Sequence, residues 1–108
     1  EPMKRAMLAW STDRDIWKRR SAILCQLKAK AATDLGLLYA CIEPSLDSKE
    51  FFLRKAIGWA LRDYSKVDEA AVRAFVAAHD AELSGLSKRE ALKYWERVAT
   101  TEARRSAT

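Results

Sequence analysis

Residues 49–66 of this 108-residue chain read KEFFLRKAIGWALRDYSK, and this stretch decides the predicted fold. Its apolar side chains recur at helical spacing and no proline interrupts them, so it predicts one long helix opened by Ser48. A four-residue element within it occurs three times in the chain, beginning at residues 20, 54 and 89 and so at offsets of 34 and 35. The three copies are Arg20-Ser21-Ala22-Ile23, Arg54-Lys55-Ala56-Ile57 and Arg89-Glu90-Ala91-Leu92.

The helices that follow these elements keep the same offset. Matching positions pair Asp34, Leu38 and Ile42 with Asp68, Val72 and Val76. The predicted N-caps are Thr33 or Asp34, then Asp68, and Ser87 for the last helix, while the helix that carries Arg20 should continue to about Lys30. A helix pair that recurs about every 34 residues is typical of an α-solenoid, in which neighbouring pairs bury each other's apolar sides. We therefore predict an all-α fold, an α-solenoid of antiparallel helix pairs over residues 1–99, followed by a frayed tail over 100–108. A plain helical bundle is the alternative.

The composition agrees with a globular helical chain. Hydrophobic residues make up 49% and charged residues 32%, with only 3 Gly and 2 Pro. No apolar run is long enough for a membrane span, and a single histidine, His79, argues against a metal site. We expect Cys25 and Cys41 to be buried thiols of an intracellular protein, and no cofactor. The start at Glu1-Pro2, without an initiating Met, suggests a piece of a longer protein.

The repeated arginines have repeated basic partners. A net charge of +5 and a pI near 9.4 favour a polyanion as partner. Another cation stands eight residues after each repeated arginine. Eight residues make two full helical turns plus about 80°, so the two cations of each pair should lie on one side of the helix, about 12 Å apart along its axis. Such a strip along a solenoid could follow a phosphate backbone; solvated helix sides with nearby acids are the alternative. The paired positions are Arg20 with Lys28, Arg54 with Arg62, and Arg89 with Arg97.

Trp59 falls outside the apolar arc of its helix. Its neighbours at helical spacing are Lys55, Arg62 and Lys66, so the indole could stack on a base or sugar among cations. Gly58 beside it leaves room for a close approach to the backbone. The equivalent positions of the other repeats hold Cys25 and Tyr94, so the indole is specific to this repeat. The alternative is that Trp59 fills the contact between stacked repeats. The other large aromatics are predicted to lie near the core: Trp10, Trp17, Phe51, Phe52, Phe75 and Trp95.

Three blocks of this sequence resemble the DNA alkylation repair glycosylases of the AlkD type. The central block is residues 49–66, and the flanking blocks are residues 17–27 (WKRRSAILCQL) and 86–93 (LSKREALK). The resemblance implies HEAT-like repeats whose concave face binds duplex DNA. It also implies excision of cationic N3- and N7-alkylpurines by hydrolysis of the N-glycosidic bond, inside the cell, without metal or cofactor.

By position, the resemblance assigns Trp59 and Arg20 to the catalytic cleft and makes Lys28 and Arg62 phosphate contacts. In the family, the catalytic aspartate and a second tryptophan come from a Trp-x-x-x-Asp segment upstream of the first block. The 108 residues contain no such segment at that place. We therefore expect the chain to supply part of the DNA-binding face and not the carboxylate. The alternative is a non-catalytic helical scaffold for nucleic acid or protein. The predicted DNA-binding residues are Lys28, Arg54, Lys55, Arg62, Lys66, Arg89 and Arg97.

Overall fold

The computed structural model describes residues 2–106, which are helical and contain no strand. The all-α prediction is confirmed. Short 3₁₀ helices at Lys30–Ala32 and Glu43–Ser45 follow the second and third α-helices. The α-helices are α1 (Pro2–Trp10), α2 (Ile16–Leu24), α3 (Leu35–Ile42), α4 (Phe51–Ser65), α5 (Glu69–Ala78) and α6 (Gly85–Ser106).

Aspartate side chains open three of these helices. The carboxylates of Asp15, Asp34 and Asp68 accept backbone N–H groups in the first turns of α2, α3 and α5, at 2.9–3.1 Å. A carboxylate at this position satisfies a donor that the helix leaves free and interacts favourably with the helix dipole. The N-caps predicted at Asp34 and Asp68 are therefore confirmed.

Three predicted helix boundaries differ from the structure. Helix α2, expected to continue to about Lys30, ends at Leu24 and gives way to a turn. Helix α6 begins at Gly85 instead of Ser87, because the hydroxyl of Ser84 accepts the N–H of Ser87 at 3.1 Å. It runs on to Ser106, past the end predicted near residue 99. The frayed tail stays a prediction, and its last residues, 107 and 108, lie outside the described range.

The helices form two rows. Helix α4 packs between α2 and α6 in the first row, and α3 and α5 meet in the second, where the rings of Tyr39 and Phe75 stack at 4.3 Å. Helix α1 contacts α2 and α3 at one end. This arrangement is compatible with stacked helix pairs of a solenoid, since each row adds one helix per repeat.

The core lies between the rows and centres on α4. Its completely enclosed side chains include Ile23, Leu53, Ile57, Leu61 and Val72. Phe75 is buried as predicted. Trp95 is half-buried, with its indole N–H donating to the carbonyl of Ser65 at 3.0 Å.

Several aromatic side chains predicted near the core lie on the surface instead. Between 38% and 56% of each is exposed, and the residues concerned are Trp10, Trp17, Phe51 and Phe52. They occupy sides of α1, α2 and α4 that no other helix within residues 2–106 covers. The rings of Trp17 and Phe52 touch each other there, with centroids 5.1 Å apart.

Candidate nucleic-acid interface

Trp59 projects from the middle of α4 into solvent. Its side chain is 45% exposed, whereas Gly58 and Ala60 on either side of it are buried. The ring is therefore not enclosed between stacked helices, and the alternative that it fills such a contact is not supported. An exposed indole between buried helix positions can stack on a planar ligand.

Gly58 allows α6 to approach α4. A Cβ atom at Gly58 would lie 2.5 Å from the Cβ of Glu90, closer than real Cβ atoms come, and 3.1 Å from the carbonyl oxygen of Ser87, which is tighter than most real contacts. The hydroxyl of Ser87 also donates to the carbonyl of Arg54 at 2.8 Å. The close approach predicted at Gly58 thus comes from a helix of the same chain, and it fixes the wall beside Trp59.

Arg20 and Arg62 lie partly exposed on α2 and α4. Neither takes part in an ion pair within residues 2–106. The Nε atom of Arg62 is enclosed and has no hydrogen-bond partner among the described residues. Guanidinium groups without a carboxylate partner keep their charge available for a phosphate.

Lys28 lies in the turn that follows α2. The prediction that Arg20 and Lys28 share one side of a single helix is wrong, because α2 ends at Leu24. Lys28 has a φ of 68° and Lys30 a φ of 55°, in the left-handed region that side chains rarely adopt. A carboxylate oxygen of Asp63 on α4 accepts the backbone N–H of Lys28 at 2.7 Å and holds the turn in place.

The turn creates a basic cleft at the carboxyl end of α4. A cleft of about 520 Å³ is lined by Lys28, Lys30, Lys66, Asp63 and Val67. Three ammonium groups around one carboxylate make it net positive, and the last carbonyls of a helix tolerate cations nearby. Trp59 lies seven residues before Lys66 on α4, about 10 Å along the helix axis.

Lys30 was missed by the sequence reasoning. The helix predicted to run on to Lys30 placed it as an ordinary terminal residue, whereas the turn brings it beside Lys28. The ammonium of Lys66 lies 5.4 Å from the centre of the Tyr94 ring on α6. This contact orients the Lys66 chain toward the α4–α6 boundary.

Two of the predicted DNA-binding cations are engaged within the protein. The ammonium of Lys55 lies 3.5 Å from the carboxylate of Glu90, which also has Lys93 at 3.9 Å. The Nε atom of Arg54 donates to the carbonyl of Ser48 at 2.8 Å and ties down the segment before α4. The charge of Lys55 is therefore shared with an acid, and Arg54 has a structural bond.

Arg89 and Arg97 are exposed along α6. The guanidinium of Arg89 lies close to Gly85, in the first turn of the helix. Arg97 borders an open groove of about 520 Å³ together with Lys93, Glu96, Thr100, Thr101 and Arg104. Arg89 and Arg97 thus lie among basic and polar side chains at exposed positions of α6, and the basic strip stays a prediction.

Within residues 2–106, His, Cys, Asp and Glu side chains form no cluster of three or more that could hold a metal ion. No helix in that part of the chain is long and apolar enough to cross a membrane.

The two rows of helices are compatible with a helical-repeat protein, and one of its surfaces presents the exposed Trp59 on the same helix as Arg62. The family model for DNA alkylation repair enzymes matches residues 1–95. The chain therefore belongs to the DNA alkylation repair enzyme family, as the sequence resemblance indicated. No curated protein matches.

A solved structure gives the same result. It is a protein from Enterococcus faecalis described as a predicted DNA alkylation repair enzyme, and its TM-score with this chain is 0.77. The sequences are 35% identical, and the match covers 86% of this chain and 43% of that one. The chain thus spans less than half the length of that relative.

Proposed function

We propose that the protein is a DNA glycosylase that hydrolyses the N-glycosidic bond of cationic N3- and N7-alkylpurines in duplex DNA. In this proposal residues 2–106 supply part of the DNA-binding face, with Trp59 and Arg20 nearest the lesion. Family membership supports a role in DNA alkylation repair. The glycosylase reaction and the alkylpurine substrate are the finer part of the proposal.

The observation that carries this proposal is the exposure of Trp59 on a helix whose cations Arg62 and Lys66 form no ion pair within residues 2–106. Alkylation at N3 or N7 gives the purine a positive charge, and the face of an indole attracts a cation and stacks on sugars and bases. Arg20, Arg62 and the lysines of the basic cleft would hold the phosphates on either side. The surface thus offers contacts for both the lesion and its backbone.

Breaking the glycosidic bond leaves positive charge on the sugar, so a free carboxylate near the reacting carbon would assist. Two acids near Trp59 are already engaged: Asp63 lies one helical turn after it on α4, and Glu90 packs against the neighbouring Gly58. Asp63 accepts the N–H of Lys28, and Glu90 lies between Lys55 and Lys93. We therefore propose that the catalytic carboxylate comes from outside these residues.

A glycosylase assay tests the reaction. The 108-residue chain and the complete protein are each incubated with duplex DNA that contains N7-methylguanine, and the released base is quantified. We expect release by the complete protein and little by the 108-residue chain. Equal release by both would show that the carboxylate lies within this chain, and no release by either would favour a non-catalytic scaffold.

The salt dependence of DNA binding tests the surface. Replacing Arg20, Lys28 and Arg62 with glutamine should flatten the plot of log Kd against log salt by about 2–3 units, roughly one for each lost phosphate contact. The matched control removes the same charge from cations that already have acidic partners, namely Lys4, Arg73 and Lys88. Equal loss of slope in both variants would contradict the proposed surface.

A further inference from the structure

Cys25 and Cys41 belong to one small apolar cluster at the contact between α2 and α3. Cys25 follows the last residue of α2 and is half-buried, whereas Cys41 on α3 is 1% exposed. Both pack with Met7 of α1, and the sulfur of Cys41 lies 3.9 Å from the Met7 carbonyl oxygen. Neither thiol takes part in the proposed DNA surface.

A cleft leads from solvent to Cys25. It has a volume of about 240 Å³ and opens between α1 and the start of α3. Cys41 does not line it, so a small solute can reach Cys25 and not its neighbour. The residues that line the cleft are Met3, Lys4, Met7, Cys25, Gln26, Ala32, Asp34 and Leu37.

The two thiols have different acidities. Interaction with the Cys41 thiol lowers the pKa of Cys25 to about 7, which outweighs the opposing effect of burial. The same contact and burial raise the pKa of Cys41, which keeps its proton. The charged groups that line the cleft, Lys4 and Asp34, are paired with each other at 2.9 Å. Cys25 is therefore the nucleophile of the pair.

We propose that Cys25 and Cys41 form a redox-active dithiol that a small hydroperoxide oxidises to an intramolecular disulfide. The Cys25 thiolate attacks one peroxide oxygen, the O–O bond breaks, and hydroxide or alkoxide leaves, so Cys25 becomes a sulfenic acid. The Cys41 sulfur then attacks the Cys25 sulfur and the S–O bond breaks. The departing oxygen takes the Cys41 proton and leaves as water. Two thiols lose two electrons, and the peroxide gains them.

The disulfide would close a loop that contains a DNA-facing turn. Residues 26–40 lie between the two cysteines, and they include Lys28 and Lys30. The side chain of Gln26 already braces this loop by two hydrogen bonds to the backbone of Asp34, at 2.6 and 2.9 Å. A bond between Cys25 and Cys41 would lock the end of α2 to α3 at the same place.

Mass spectrometry of the oxidised chain tests the proposal. After treatment with hydrogen peroxide, the intact protein should lose the mass of two hydrogen atoms, and peptide mapping should join Cys25 to Cys41. The Cys41→Ser variant, whose hydroxyl can still donate to Cys25, should stop at a sulfenic acid that dimedone traps. The Cys25→Ser variant should give neither product at the same dose. A wild-type chain that forms disulfide-linked dimers or sulfinic acid instead would overturn the proposal.

A measurement on the wild-type chain does not depend on the folding of either variant. The rate of alkylation of Cys25 by iodoacetamide, followed by peptide mapping from pH 5 to pH 9, should rise to half its maximum near pH 7. This midpoint follows from the lowered pKa, because only the thiolate reacts. A midpoint at the pKa of an ordinary free thiol, about 8.5, would contradict the role of Cys25 as the nucleophile.

Discussion

Helices α2 and α4 occupy equivalent places in the repeat, yet only α4 presents a tryptophan. Their buried positions correspond closely: Ala22 and Ala56 are each 1% exposed, and Ile23 and Ile57 are 1% and 0% exposed. A later position differs, since the half-buried Cys25, just past the end of α2, corresponds to the exposed Trp59 of α4. The repeat therefore maintains the packing side of the helix and leaves the outer side free to acquire a separate role.

The two helices also differ in length. Helix α4 has 15 residues and α2 has 9, so Arg62 stays on its helix while the equivalent Lys28 lies in a turn. The turn places Lys28 against Asp63 at the end of α4. The loss of helical regularity in one repeat thus brings its lysine onto the surface of the next.

The largest effect should come from the shared buried position. Ile57→Ala and Ile23→Ala each remove a completely enclosed side chain, and each should lower the free energy of unfolding by about 2–5 kcal/mol. Urea unfolding followed by circular dichroism measures both. A cost near zero for one of the two would show that α2 and α4 are not equivalent in packing.

Gly58→Ala should have the next largest effect. The new methyl group would meet Glu90 and Ser87 of α6, so α6 must move, and we expect a loss of about 1–3 kcal/mol. Gly36→Ala is the matched control on α3, because its nearest contact would be an Asp34 oxygen at an ordinary 3.5 Å. That change should stabilise the chain by about 0.4–1 kcal/mol. Stabilisation by both variants would contradict the close approach of α4 and α6.

Much of this fold was predictable because its signals are local. The 34-residue repeat and the aspartates at positions 34 and 68 predicted the helix pairs and their starts from neighbouring residues alone. The early end of α2 depends on a carboxylate 35 residues away, which no local pattern contains. The exposure of Phe51 and Phe52 was missed for a related reason, because helical periodicity does not tell which apolar side a neighbour covers.

The site was predicted less completely than the fold. Trp59 was recognised because it breaks the apolar pattern of its own helix, and its exposure agrees with that reading. Lys30 was missed because its place depends on the turn. Lys55 on α4 forms an ion pair with Glu90 on α6. The repeat alignment compares equivalent positions and does not show which side chains of different helices meet, so it could not predict this ion pair.

Asp63→Ala should have a moderate effect. It removes the acceptor of the Lys28 N–H, and the loss of such a charge-assisted hydrogen bond should cost about 1–3 kcal/mol. The turn that carries Lys28 and Lys30 should then become mobile, which faster amide hydrogen exchange over residues 25–33 would show. Asp47→Ala, in an exposed loop, is the control and should leave that exchange unchanged. Equal protection of the turn in both variants would show that Asp63 does not hold it.

Trp59→Ala should have the smallest effect on stability and a clear effect on binding. Nearly half of the side chain is already exposed, so the cost should stay within about 0.5–1 kcal/mol. If Trp59 stacks on DNA, its loss should weaken duplex affinity by about 1 kcal/mol or more, roughly fivefold. Trp10→Ala removes an indole from α1, outside the row of α2, α4 and α6, and should leave affinity unchanged. If both variants lose the same duplex affinity, the effect comes from a general loss of apolar surface. Trp59 would then give α4 no binding role that α2 lacks.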